Sequence, residues 1–182
     1  MDRLEWLTFG NNTPASQERL GELVLYIAEK TEDYADFGST KINKTLYYSD
    51  FENFRIRGKS ITGAQYQRIT HGPAPKHIVF VEGRLKEHGE LRIDAQQMTH
   101  KRVALRKANT TIFKPSELAL IDKHIERLNR QTSTEVSKES HDVRWNIVND
   151  ADLLPYEFAF LDDTYTSEDE AETNRLASEF EW

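Results

Sequence analysis

A chain of 182 residues, 37% of them hydrophobic, is long enough to bury a sizeable core, and a single domain is the expectation at this length. It contains no cysteine, which excludes disulfides, thiolate metal sites and cysteine nucleophiles and suits a reducing cytoplasm. The net charge of −7 resides in residues 162–182, where eight acids face one base, Arg175; the first 161 residues are neutral, so no chain-wide attraction to nucleic acid or anionic membrane is expected.

Residues 1–12 form a lead-in carrying Trp6, Leu7 and Phe9, without the basic region and apolar run of a signal peptide. No stretch is apolar for long enough to span a bilayer. Thr13 and Pro14 read as cap and first position of a helix to about Asp33, with Leu20, Leu23, Val24 and Ile27 on one face. A second helix is expected from about Thr40 to Arg57, capped by Ser39 or Thr40 and stopped by Gly58. Ile42, Leu46 and Phe54 form its stripe, and Tyr47, Tyr48 and Phe51 widen it. Lys41 and Lys44 stand in its first turn, where the helix dipole disfavours positive charge; a local rule broken there points to a site.

Ser60 to Arg68 is expected to be extended. Pro73 and Pro75 then open a third helix to about His88, burying Ile78, Val81 and Leu85 before Gly89. Leu91 and Ile93, then Val103 and Leu105, alternate with charged residues as a two-stranded hairpin does. Pro115 starts a helix with Leu118, Ile121, Ile125 and Leu128 on one face, and Thr132 with Glu135 makes a capping box for a short helix ending near His141. Trp145, Ile147, Leu153, Leu154 and Phe158 are expected to anchor the last ordered stretch. From Asp162 onward low hydrophobicity predicts disorder in isolation. The fold class is therefore α+β and mainly helical: one compact domain of five to six helices over residues 13–161 with a small antiparallel hairpin or sheet.

The motifs of enzymes are missing. There is no phosphate loop, no dinucleotide-binding glycine pattern and no serine nucleophile elbow. The six histidines, at 71, 77, 88, 100, 124 and 141, show no metal-ligand spacing. Arg84, Lys86, Arg92, Lys101, Arg102, Arg106 and Lys107 cluster around the third helix and hairpin, but Glu82, Glu87, Glu90 and Asp94 interleave with them, so a coherent phosphate-binding face is not expected. Tyrosine and tryptophan beside a rigid Gly-Pro-Ala-Pro turn suit a protein-binding module better.

The segment TKINKTLYYSDFENFRIRGKSITGAQYQ followed by HGPAP, and a second block running FKPSELALIDKHIERL, STEVSKESH, Trp145 and LLPYEFAF, resemble the SocA-like Panacea antitoxin domain over residues 17–161. Lys114 departs from that pattern, standing where the family often has a capping serine. The resemblance implies a cytoplasmic antitoxin, neither catalytic nor cofactor-dependent, that neutralises a cognate toxin protein by direct binding in a type II pair, as in prophages. The alternative is a proteolytic adaptor, with a host protease as partner, or a phage-associated transcriptional regulator. A second copy of the chain is a further conceivable partner, whereas nucleic acid and membrane are not expected.

Carried over by position, the matching residues are Lys44, Tyr47, Asp50, Phe51, Gly63, Tyr66, Gly72, Pro73, Ser140, His141, Trp145, Pro155 and Tyr156. The candidate partner-binding set is Lys44, Tyr47, Tyr48, Asp50, Phe51, Tyr66, His71, Pro73, His141 and Trp145, joined by Phe180 and Trp182 of the acidic tail. Within it Lys44 and Tyr48 are expected at a surface shared with the Trp145 segment, and Tyr47 and Trp145 are expected to be structural.

Overall fold

The computed structural model describes residues 7–94 and 99–161. It is a mainly helical α+β structure of six helices with two small antiparallel sheets among the described residues. Helix α1 (Pro14–Lys30) starts as its sequence dictates: Thr13 accepts a hydrogen bond from the Ser16 amide at 3.2 Å, and Leu20, Leu23, Val24 and Ile27 are buried. It ends at Lys30 rather than Asp33, with Thr31 closing the last turn onto the Ile27 carbonyl.

Helix α2 (Ser39–Arg57) runs through the centre and ends at Gly58 as expected. Its N-cap, however, is Gly38 and not Ser39 or Thr40, and no side chain among the described residues caps it. Gly38 lies so close to the backbone of Thr99 that a Cβ there would sit 1.8 Å from the Thr99 carbonyl oxygen, and the same carbonyl accepts the Ser39 amide at 3.0 Å. A neighbouring chain segment thus takes the place of a capping side chain. Nearly every face of α2 is covered, which explains the aromatic residues beyond a normal stripe.

The stretch expected to be extended contributes only β1 (Tyr66–Gln67). The third helix does not begin at the prolines. Ala74–Pro75 form β2, paired antiparallel to β1 with Tyr66 opposite Pro75, and helix α3 (Ile78–Glu87) starts three residues later. Proline disfavours helical geometry in the residue before it, and its missing N–H is tolerated on an edge strand, which β2 is. Strands β3 (Leu91–Asp94) and β4 (Lys101–Ala104) form the expected hairpin, although Leu105 falls beyond it and is exposed.

Helix α4 (Pro115–Asn129) begins at Pro115, and Glu117 reaches back to accept the Lys114 amide at 2.9 Å. Lysine has no acceptor, so this is one half of a capping box, and the same Glu117 carboxylate pairs with Arg19 at 3.1 Å. Helix α5 (Ser133–Glu139) carries the full Thr132–Glu135 box. A short α6 (Val143–Asn146) precedes β5 (Leu153–Leu154), which pairs with the other edge of β1 to give the order β2-β1-β5. A 3₁₀ turn over Tyr156–Phe160 then packs on α2. Ile147, expected as an anchor, is exposed. The expectation for the acidic segment from Asp162 lies outside the described residues.

Candidate functional site

The inner face of α2 is held by polar groups that periodicity assigns to a surface. Asp50 is fully buried and accepts four hydrogen bonds: from the amides of Ile61 and Thr62 at 2.7 and 2.8 Å, from the Tyr66 hydroxyl at 2.8 Å, and from the Thr62 hydroxyl. Burial pushes its carboxyl above the usual range, and the four donors pull the other way. Around it Tyr47, Phe51, Tyr66 and Tyr156 pack as an aromatic cluster, with Tyr47 and Phe51 centroids 4.4 Å apart and Phe51 edge-on to Tyr66 at 5.5 Å.

Lys44 is 1% exposed, and its ammonium donates to the Pro73 carbonyl at 2.7 Å. Burial pushes its pKa down to about 7. Gly72, at φ +87°, lets this approach happen: a Cβ there would lie 2.1 Å from Ser140 Oγ and 2.8 Å from Lys44 Cε. Lys44 is therefore a buried tie between α2, the Gly-Pro-Ala-Pro turn and α5, and its expected place on the surface is corrected. Lys41, also buried, pairs with Asp36 at 3.1 Å, which offsets the unfavourable dipole.

Of the other sequence-predicted residues, Tyr47, Asp50, Phe51, Tyr66 and Pro73 are buried, Tyr48, His141 and Trp145 are half-buried, and His71 is exposed. Phe180 and Trp182 lie outside the described residues. The structural role expected of Trp145 is filled only in part. Its ring stacks on His141 at 4.1 Å, Arg68 lies over it at 3.7 Å, and its Nε1–H donates to the Ile69 carbonyl at 3.0 Å. Trp145→Ala is expected to cost about 2 kcal/mol, less than a fully buried aromatic, measured by urea denaturation.

The outer face of α2 borders a groove of about 440 Å³ lined by Tyr48, Phe51, Glu52, Arg55, Ile56, His124, Arg144 and Ala159, drawn from α2, α4, α6 and the 156–160 turn. His124 is stacked on Tyr48 at 5.8 Å, and the Arg127 guanidinium lies over the Tyr48 ring at 4.4 Å. Burial pushes His124 down to about 4, so at pH 7 it is neutral and its Nε2–H donates to Glu52 at 2.7 Å. Its buried Nδ1 has no partner among the described residues. Burial raises the Glu52 carboxyl, and hydrogen bonds from Lys123 and His124 more than reverse this. Ile56 in the groove wall is 60% exposed, and Phe160, which meets the ring of Phe54, is exposed to the same degree.

Periodicity does not single out the groove residues Arg55, Ile56, Glu52, His124 and Arg144. A signal is present in Ile56, an apolar residue set between two arginines and off the Ile42–Leu46–Phe54 stripe.

Two arginines of the basic cluster near the hairpin are neutralised from within. Arg102 is buried and bidentate to Glu82 at 2.8 and 2.9 Å, and Arg106 bridges Glu22 and Glu90. A second groove between α1, α3 and the hairpin has Glu18, Glu22 and Glu90 in its wall. Among the described residues no group of acids and histidines is placed to hold a metal, and no helix is long and apolar enough to cross a membrane.

A family model described as Antitoxin SocA-like, Panacea domain, matches residues 42–146, from the first turn of α2 to the end of α6. No curated protein and no solved structure matches the chain.

Proposed function

Because the chain belongs to the SocA-like, Panacea-domain antitoxin family, we propose that it is a non-enzymatic antitoxin of the cytoplasm that neutralises a cognate toxin by direct protein–protein binding, as in a type II pair. The observation that carries this reading is the groove along the outer face of α2, inside the matched segment. It joins the exposed Ile56 side chain and the half-buried Tyr48 ring to arginines, the composition that anchors protein interfaces. The buried lysine and the Asp50 network belong to the scaffold that holds this groove.

The test is co-expression with the toxin encoded beside the gene. Arg55→Glu combined with Ile56→Asp is expected to weaken toxin binding at least tenfold, about 1.4 kcal/mol, and to abolish growth rescue. Both side chains point to water, so the melting temperature should stay within about 2 °C of the parent. Val79→Asp with Phe80→Ser, on the exposed face of α3, is the counterpart on another apolar surface. Loss of binding in that variant, with full binding in the groove variant, places the interface on α3 instead. Growth recovery that requires a host protease favours the adaptor alternative.

A further inference from the structure

The chain leaves the described fold beside the groove. Arg144, in the groove wall, donates to the carbonyl of Leu161 at 2.9 Å, and Ala159 lines the groove two residues earlier. Beyond Leu161 the chain continues for 21 residues that hold all of the net negative charge, interrupted by Tyr165, Leu176, Phe180 and Trp182. The groove is complementary in both respects. Half-buried Tyr48 and exposed Ile56 offer apolar surface, and Arg55 is exposed and engages no carboxylate among the described residues. Glu52, the acid among the lining residues, is already taken by Lys123 and His124. By contrast, the α1–α3 groove sets three glutamates, Glu18, Glu22 and Glu90, against two arginines, Arg84 and Arg106, and Arg106 is already paired with Glu22 and Glu90.

We propose that this groove is the docking site of the chain's own acidic C-terminal segment, with Phe180 and Trp182 as apolar anchors and the flanking carboxylates against Arg55. Tethering favours it. A flexible linker of the length from Leu161 to Phe180 has a root-mean-square span of roughly 24 Å, and tethers of that size give effective concentrations on the order of millimolar. An interaction too weak to hold a free peptide is then enough to occupy the groove. The tail and the toxin compete for this one groove, so the inference makes the tail a segment that the toxin displaces; its failure leaves the toxin-binding reading intact.

The absence of cysteine permits a direct measurement on the full chain. A nitroxide placed through Ser178→Cys is expected to reduce amide NMR intensities of residues 52–57 and 158–160 at least twofold relative to the reduced label. The effect should disappear with Arg55→Glu and with Phe180→Ser/Trp182→Ser, and fade at about 0.5 M salt as screening shortens the reach of the charges. Broadening centred on residues 84–107, broadening that grows with protein concentration, or none at all overturns the proposal.

Discussion

Asp50→Ala is expected to lower stability by about 4 kcal/mol, the largest loss from truncating any one polar side chain in this fold. The substitution removes one carboxylate and orphans the amides of Ile61 and Thr62 and the hydroxyls of Thr62 and Tyr66, in a site closed to solvent. At this chain length the loss corresponds to a fall in Tm of roughly 8–16 °C, readable by calorimetry. A fall of less than about 2 °C would show that the loop after α2 does not depend on this network.

The second large effect concerns Lys44. Lys44→Glu is expected to yield no folded protein, since a carboxylate would be buried against the Pro73 carbonyl with no donor in place of the ammonium. Lys44→Met keeps the volume and isolates the charge. In the unfolded chain the lysine titrates at its ordinary value near 10.5, and in the fold burial lowers it to about 7. Between those values the unfolded state binds more protons, so the parent gains stability as pH rises, by about 1.4 kcal/mol per pH unit above 7. Below pH 7 both states are protonated and the cost of burying the charge is felt in full. The methionine variant has no such cost. Its Tm relative to the parent should therefore be highest at pH 6 and decline steadily by pH 9. A difference that stays constant across that range would mean that Lys44 keeps its charge when folded.

Legibility in the sequence divides along physical lines. Helices α1, α4 and α5 announce themselves through Thr13–Pro14, Pro115 and the Thr132–Glu135 box, local chemistry that tertiary structure has no reason to override. The β3–β4 hairpin is legible for the same reason. The β2-β1-β5 sheet is not, because strands of two residues leave no alternating pattern. Ala74–Pro75 read as helical in sequence, since proline favours a first helical turn as readily as an edge strand, and only the pairing with β1 decides between them. For the site, periodicity finds the right helix and misjudges its faces. On a helix covered nearly all round, Lys44 and Asp50 look like surface residues although each has its partner inside. The groove residues Arg55 and Ile56 lie where no stripe predicts them, and His124 comes from α4, 72 positions along the chain from its partner Glu52. Only tertiary packing brings these together.

Arg19 sits on α1, before the segment that the family model matches, yet its guanidinium donates to the carbonyls of Ile61 and Ile112 and pairs with Glu117. At the other end, beyond Asn146, Leu153–Leu154 close the outer edge of β1, the Tyr156 hydroxyl donates to the Ala64 carbonyl at 2.6 Å, and the Tyr156 amide donates to the Thr8 carbonyl. The unit that recombination or grafting would have to move is therefore wider than the recognisable motif. A chimaera joined at Ile42 and Asn146 leaves β1 with a raw edge and the loop after α2 without its clamp, whereas seams placed before Thr8 and after Ala159 carry both across intact.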